Sequence, residues 1–310
     1  MNPPRISVIV PTCRRPEPLA VAVRSLFAQQ GFAAGEVELV VVDNDPAGSA
    51  KAGFDALAAD SPWPIAYVHA PVPGVAQARN AGLATARGEL IAFLDDDEAA
   101  PAHWLAAMAA AQARLGAAVV FGPVRAVLPE GVSEHRAYLE DFFSRAGPAE
   151  TGLIDDYYGC GCSLLVRSAL PDLVRPFSTD RDHTGGEDDL LFGTLKEQGA
   201  RMAWATDAWV WEYVPAGRAN LTYAMRRAFA FGQGPTAHCA AVTPDNWLGV
   251  VGWMAQGAAQ AAAFGALAGL QFLTGSPRRA ETLDRAARGL GKLLWFGVFK
   301  IEFYGRSAAA

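Results

Sequence analysis

Short apolar runs and amphipathic stretches alternate through the first hundred residues of the 310-residue chain. Ile6 to Val10 is short and β-branched, the pattern of a strand, and Pro11 to Pro16 breaks it. From Pro16 to Gln30 the apolar residues Leu19, Val23, Leu26 and Phe27 recur at helical spacing. The unit then repeats: a strand over Val37 to Val42, a helix over Ala50 to Ala59, a strand over Ile65 to His69, a helix over Val75 to Ala86 and a strand over Leu90 to Leu94. Strands and helices in this rhythm predict an α/β fold with a parallel sheet and right-handed crossovers. The fourth strand is apolar throughout and stops at Asp95-Asp96-Asp97-Glu98. A run without alternation is buried on both faces, so these carboxylates fall at the strand's carboxyl end, where open α/β sheets take their ligands.

Beyond that point the pattern predicts a helix over Pro101 to Leu115, a strand over Ala117 to Val124, and loop with short helix over 129 to 156, a lid or acceptor-facing segment. Tyr157 to Val166 turns into a strand, and its Gly159 and Gly161 admit either a ligand or close packing. Gly185-Gly186-Glu187-Asp188-Asp189 precedes a helix over Leu190 to Gln198, closed by Gly199. The acids there either complement the helix dipole or project into a cleft beside the glycines. One or two Trp-rich strands follow over Arg201 to Val214.

With 51% apolar residues the chain has enough core for one large domain or two, and a net charge of −6 argues against nucleic acid as a partner. That total hides a division near residue 215. Residues 1–215 carry 16 Lys/Arg against 28 Asp/Glu, whereas 216–310 carry 10 against 4. The expected domains are accordingly a catalytic one over 1–215 and a helical, basic region over 216–310. Cys13, Cys160, Cys162 and Cys239 lack zinc-site spacing, and reduced thiols in a cytosolic compartment are expected. No signal peptide is expected ahead of Ile6.

No charge occurs between Asn246 and Pro277, and Trp247 to Leu273 is long enough to span a bilayer. Its Ala, Gly and Gln content gives only modest hydrophobicity, and Gly265-x-x-x-Gly269 would permit close helix packing. A single span would strand Arg278, Arg279, Arg285, Arg288 and Lys292 on the far side, against the positive-inside tendency. Helices lying in the cytoplasmic leaflet are therefore expected, with Leu293 to Phe303 as an interfacial anchor beside Lys292, Lys300 and Arg306. Arg226 and Arg227 add to the attraction for anionic lipid. The alternative is packing on the catalytic domain or on a second subunit of a homo-oligomer.

Three adjacent aspartates repel one another unless a cation sits among them, so Asp95 to Asp97 suggest a hard divalent metal sharing a phosphate. Neither Gly-x-Gly-x-x-Gly after the first strand nor Gly-x-x-x-x-Gly-Lys-Ser/Thr is present. A metal would neutralise a diphosphate without a glycine cradle.

Taken together, Val8-Ile9-Val10-Pro11-Thr12, Val41-Val42-Asp43-Asn44-Asp45, Ala78-Arg79-Asn80-Ala81-Gly82, Phe93-Leu94-Asp95-Asp96-Asp97 and Gly185-Gly186-Glu187-Asp188 resemble the family 2 glycosyltransferases of GT-A fold. The likeness is greatest to the bacterial branch that makes exopolysaccharide of succinoglycan type and cell-envelope glycans. The resemblance implies a Rossmann-like, mostly parallel sheet flanked by helices, and a C-terminal helical, membrane-associating extension. It implies an inverting transferase using a nucleotide-diphosphate sugar, a UDP-sugar by expectation, with Mn²⁺ or Mg²⁺. The acceptor would be a glycan or a polyprenyl-linked glycan at the cytoplasmic face of the inner membrane. Carried over by position, Pro11, Thr12, Asp43 and Asp45 would hold base and ribose, and Arg79 would lie near the diphosphate. Asp95 and Asp97 match the Asp-x-Asp pair, with Asp97 as the direct metal ligand, while Asp96 would shape the loop or touch the donor. Asp188, with Glu187 as alternate, matches the family's base.

Two departures stand out: Tyr213 occupies a place where related sequences often have His, and Ser163 one where Asn is frequent. His183 is a further candidate to line the site. A nucleotidyltransferase or pyrophosphorylase would need a basic, glycine-rich first loop, and Arg14-Arg15 offers charge without glycine. A non-catalytic glycan-binding scaffold would have no need of Asp188.

Overall fold

The computed structural model describes residues 3–172, 175–182, 185–242 and 246–301. His183, Phe303 and Arg306 lie outside the described residues. The chain forms two compact units, one of Met1–Arg125 and Ser144–Tyr213, the other of Ala126–Phe143 and Val214–Glu302.

In the first unit the predicted alternation is realised as β1 (Ile6–Thr12), α1 (Pro16–Phe27), β2 (Val37–Asp43), α2 (Lys51–Ala59), β3 (Ile65–His69), α3 (Val75–Thr85) and β4 (Leu90–Phe93). Further on come β5 (Glu98–Ala99), α4 (Trp104–Leu115), β6 (Val119–Phe121), β7 (Val124–Val127), β8 (Gly152–Ile154), β9 (Ser163–Val166), α6 (Glu187–Glu197), β10 (Met202–Trp204) and β11 (Val210–Tyr213). An eight-stranded sheet runs β3-β2-β1-β4-β9-β6-β10-β8, and a three-stranded one β5-β11-β7. This is a GT-A-like architecture, with a mostly parallel central sheet flanked by helices.

β1 pairs in parallel with both β2 and β4, and the rungs Thr12↔Asp43 and Ile9↔Phe93 bring three carboxyl ends side by side. β9 runs against β4 and β6, with Ser163 opposite both Phe93 and Phe121. Its reversed direction delivers the residues just before Ser163 to the end of β4 where the acidic run begins. β1, β2 and β4 are buried along nearly their whole length, as the unbroken apolar runs require.

Three sequence expectations shift here. The strand expected over Ala117 to Val124 divides at Gly122-Pro123, because proline cannot supply a ladder donor, and β7 joins the smaller sheet. Residues 157–159 are irregular and 160–162 bend ahead of β9, rather than forming its first half. α6 begins at Glu187 instead of Leu190, since Gly186 adopts φ +84° and closes the preceding loop at once. All three acids thus belong to the first helical turn.

The second unit contains α5 (Arg136–Phe143), α7 (Leu221–Val242), α8 (Trp247–Thr274) and α9 (Arg279–Leu293). It is not the contiguous 216–310 segment drawn from the charge division: residues 126–143 join it. Leu128 and Leu139 share a core with Val214, Ala219 and Ala224, which explains the grouping. α9 packs along both α7 and α8. The crossings are made by glycines other than those singled out from the sequence. A Cβ at Gly291 would lie 2.0 Å from the Phe229 carbonyl, and one at Gly257 2.6 Å from the Gly289 carbonyl. Nothing lies within 4 Å of the Cβ positions of Gly265 and Gly269.

Among the described residues no helix is long and apolar enough to cross a membrane. The stretch from Leu293 contains only a short 3₁₀ turn at Gly297–Phe299 within the described residues.

Candidate functional site

The residues named from the sequence gather at the carboxyl ends of β1, β2 and β4, on α3, and at the start of α6. Pro11 and Thr12 end β1. Thr12 Oγ1 donates to Asp96 Oδ2 at 2.7 Å, and Arg15 Nη1 bridges Asp96 Oδ1 and Asp97 Oδ2, both at 2.9 Å. Asp96 is therefore committed to the loop that carries it. Burial pushes its carboxyl up to about 6, against the pull of Arg15. Arg15 entered the sequence reading only as loop charge; no periodicity marks a side chain that reaches across two chain segments.

Asp43 is fully buried at the end of β2. Its Oδ1 accepts from the Asp45 N–H at 3.0 Å, and its Oδ2 from the Ala50 N–H at 2.8 Å and the Tyr67 hydroxyl at 2.9 Å. A carboxylate with three internal donors and no open surface braces the 44–50 loop. Direct contact with base or ribose, expected from the resemblance, is not what this geometry offers. Asp45 is also buried and pairs through Oδ1 with the exposed Arg14 at 3.1 Å. Asn44 ties the same loop to the one after β3, donating to the carbonyls of Ala70 and Val72, both at 2.7 Å.

Arg79 lies buried on α3 and joins two distant parts of the chain. Its Nη1 donates to Glu187 Oε1, and its Nη2 lies 3.5 Å from Asp95 Oδ1. Burial pushes the Glu187 carboxyl up to about 7, with Arg79 pulling the other way and Asp188 adding to the rise. Glu187 is therefore a sequestered ion-pair partner. Asp188, one residue on, is partly exposed and accepts the Cys160 N–H at 3.1 Å. Asn80, next to Arg79, holds both polar groups of the Phe177 backbone, donating at 2.8 Å and accepting at 3.1 Å. That clasp secures the connection between β9 and α6.

Burial raises the Asp95 carboxyl; Arg79 and Arg145 oppose the rise, and Asp97 and Asp188 add to it. The Asp95 N–H donates to Glu98 Oε2 at 2.9 Å. Glu98 sits opposite Glu212 on the β5–β11 rung, and burial, reinforced by Asp95 and Glu212, pushes its carboxyl well above the usual range. Tyr213 contributes its N–H to the Asp97 carbonyl at 2.8 Å, and its ring is exposed. Ser163 turns its hydroxyl back onto the Cys160 carbonyl. The sequence showed Glu98 only as the end of the acidic run and did not mark Arg145 at all, since its partners Gly159 and Gly161 lie 14 and 16 residues away.

Among the described residues no three His, Cys, Asp or Glu side chains group to hold a metal by themselves. Asp95 lies within electrostatic reach of Asp97 and Asp188. Asp95, Asp97, Asp188 and Glu187 outnumber the arginines that face them, and the donors are all hard oxygens, so a divalent cation completed by a ligand's own oxygens suits the set.

The model of glycosyl transferase family 2 matches residues 7–174. The chain is 38% identical over 229 residues to succinoglycan biosynthesis protein ExoM of Rhizobium meliloti (strain 1021), covering 74% of this chain and 73% of the relative. Among solved structures it is similar to S. aureus TarS 1-349, with TM-score 0.55 and 18% identity over 92% of this chain and 90% of that one. A structure of the same TarS fragment in complex with UDP gives 0.52 and 18%, over 93% and 89%. The mannosyltransferase PcManGT from Pyrobaculum calidifontis, in complex with GDP-Man and Mn²⁺, gives 0.57 and 21%, over 93% and 88%.

Proposed function

Because the chain belongs to glycosyl transferase family 2, we propose that it moves a sugar from a nucleotide-diphosphate sugar, a UDP-sugar, onto a hydroxyl of a lipid-linked glycan during exopolysaccharide synthesis. The observation that carries this reading is that Asp95, after β4, and Asp188, on α6, flank one turn of backbone: the Cys160 N–H donates to Asp188 Oδ2 at 3.1 Å, and a Cβ at Gly161 would fall 2.6 Å from Asp95 Oδ2. Relatives supply the rest. ExoM is named for succinoglycan biosynthesis, and fold neighbours hold UDP, or GDP-mannose with Mn²⁺.

In this reading Asp95 and Asp97 hold a divalent metal, Mn²⁺ or Mg²⁺, through carboxylate oxygens. When bound, the metal supplies neutralisation of the leaving diphosphate. Thr12 and Pro11, at the end of β1, sit where base and ribose would lie, and Asp43 acts on them through the loop it braces. Asp188 removes the proton of the acceptor hydroxyl as its oxygen attacks the anomeric carbon and the bond to the diphosphate breaks. One displacement inverts the centre, so an α-linked donor gives a β-linked product. Glu187 is set aside as the base because Arg79 already occupies its carboxylate.

A panel of nucleotide-sugars tested by calorimetry with and without Mn²⁺ checks the proposal. Metal-dependent binding of one donor is expected, with Asp97→Ala abolishing the metal dependence. Asp188→Asn is expected to keep donor binding and to lose about 10²-fold or more in transfer, the scale of general-base catalysis. Wild-type turnover in Asp188→Asn would refute the assignment.

The second unit supports a peripheral location at the cytoplasmic membrane face. α8 is uncharged from end to end, yet Trp247, Leu248, Val251, Leu270, Phe272 and Leu273 are exposed on it. Cations from α9 sit over its rings: Arg279 over Phe272 and Arg285 over Phe264, both at 5.3 Å, and Lys292 over Trp253 at 5.2 Å. An apolar face edged by cations matches an anionic bilayer surface.

A further inference from the structure

Resting on that reading of Asp95 and Asp188, we infer that the turn Gly159-Cys160-Gly161, clamped by Arg145, is the positioning device that sets the base against the metal-side carboxylate. The turn stands between the two acids. On one side the Cys160 N–H donates to Asp188 Oδ2 at 3.1 Å, and a Cβ at Gly159 would lie 3.4 Å from the same oxygen. On the other, a Cβ at Gly161 would fall 2.6 Å from Asp95 Oδ2 and 2.9 Å from Glu98 Oε1. Only glycine lets the backbone approach Asp95 this closely.

All three carbonyls of the turn are held by side chains. Arg145 Nη1 donates to the Gly159 carbonyl at 2.7 Å, and its Nη2 to the Gly161 carbonyl; Ser163 Oγ takes the Cys160 carbonyl. Arg145 is itself fixed, exchanging both backbone hydrogen bonds with Val124 at 2.8 and 3.0 Å. Its guanidinium lies 6.0 Å from the centre of the Tyr158 ring. A planar fork spanning two carbonyls two residues apart fixes orientation as well as distance, which a lysine ammonium cannot do. The residue that follows the turn, Cys162, adopts φ +52°, an uncommon conformation for a side-chain-bearing residue that the clamp on Gly161 adjoins. Displacing a catalytic group by about 1 Å can cost 10²-fold in rate, so the clamp acts on turnover through Asp188 while touching no substrate itself. Arg145 is thus a positioning residue.

The test compares Arg145→Lys, Arg145→Ala, Gly159→Ala and Gly161→Ala with wild type, using the donor identified by the panel and counting active sites by metal-dependent nucleotide binding. Both Arg145 variants are expected to lose tenfold or more in kcat per active site, with donor KM within about twofold. Added guanidinium ion is expected to restore part of the loss in Arg145→Ala. The two glycines should separate: Gly161→Ala raises the half-saturating Mn²⁺ concentration several-fold, whereas Gly159→Ala lowers kcat and leaves the metal requirement unmoved. Wild-type kcat per active site in Arg145→Ala and Arg145→Lys would overturn the inference, as would a loss accounted for wholly by fewer active sites. Equal effects of both glycine variants on the metal requirement would overturn it too. Absence of metal-dependent donor binding in the wild-type protein would instead sink the proposed function.

Discussion

At the scale of single residues, the candidate site sets buried charges, Asp43, Asp96, Arg79 and Glu187, beside the half-buried Asp95, Asp97 and Asp188. Asp96 gives a pH test. Its carboxyl is raised to about 6 by burial, so between about pH 4, the ordinary carboxylate range, and pH 6 the folded chain retains a proton that the unfolded chain has lost. Folding stability from this group is then present at low pH and declines as pH rises through that window. Asp96→Asn cannot titrate. In EDTA, its melting temperature relative to wild type is expected to climb from pH 4 to pH 7, by the equivalent of about 2 kcal/mol. A difference that is flat or falls with pH would show that Asp96 is not held protonated. The sequence disclosed these acids by type and spacing; in the fold Arg79 reaches Asp95 and Glu187, Asp97 pairs with Arg15, and Asp188 accepts the Cys160 N–H. It did not disclose that Asp43 spends its oxygens on the Asp45 and Ala50 amides and Tyr67, nor that Arg15 and Arg145 enter at all. Hydrogen-bond commitment and cross-chain reach leave no periodic trace.

At the scale of elements, strands β1, β2 and β4 were legible because burial on both faces writes an unbroken apolar run. β9 was legible only in its second half: the strand expected over Tyr157 to Val166 starts at Ser163, because the residues before it form a turn whose glycines serve close contact and whose carbonyls go to side chains. The helices of the second unit show the same limit. Gly265 and Gly269 stood out by their spacing, yet α9 meets α7 at Gly291 and α8 at Gly257. Close approach, rather than a motif, decides which glycines matter. Gly291→Val would drive a side chain into the Phe229 carbonyl and the Gly232 backbone, and overpacking of this kind costs about 2 kcal/mol or more. Gly265→Val, with open space around it, is expected to leave stability within about 0.5 kcal/mol. Thermal or urea unfolding of both variants checks the contrast; equal stability would contradict the crossing described.

At the scale of the whole molecule, the charge division seen in the sequence is weakened in the two units, because residues 126–143 bring Glu130, Glu134, Glu140 and Asp141 against Arg136 into the second, which stays only slightly basic beside an acidic first unit. The acidic one holds the candidate site, and the basic one presents α8. Vesicle flotation tests the membrane proposal. The protein is expected to co-float with phosphatidylglycerol vesicles, less so with phosphatidylcholine and less at high salt, because exposed cations act through screened attraction. Leu270→Asp with Leu273→Asp should reduce the co-flotation, and a protein that never co-floats with anionic vesicles would sink the proposal. The reciprocal bonds between Val124 and Arg145 carry a last consequence. The chain leaves the catalytic unit just after one partner and returns just before the other, so the excursion through α5 is a loop closed at its base. Loop-closure entropy grows only slowly with length. Its ends are held together by these two backbone bonds, so a change of length between β7 and α5 bears on the core that Leu128 and Leu139 share with Val214 more than on the unit that bears the chemistry.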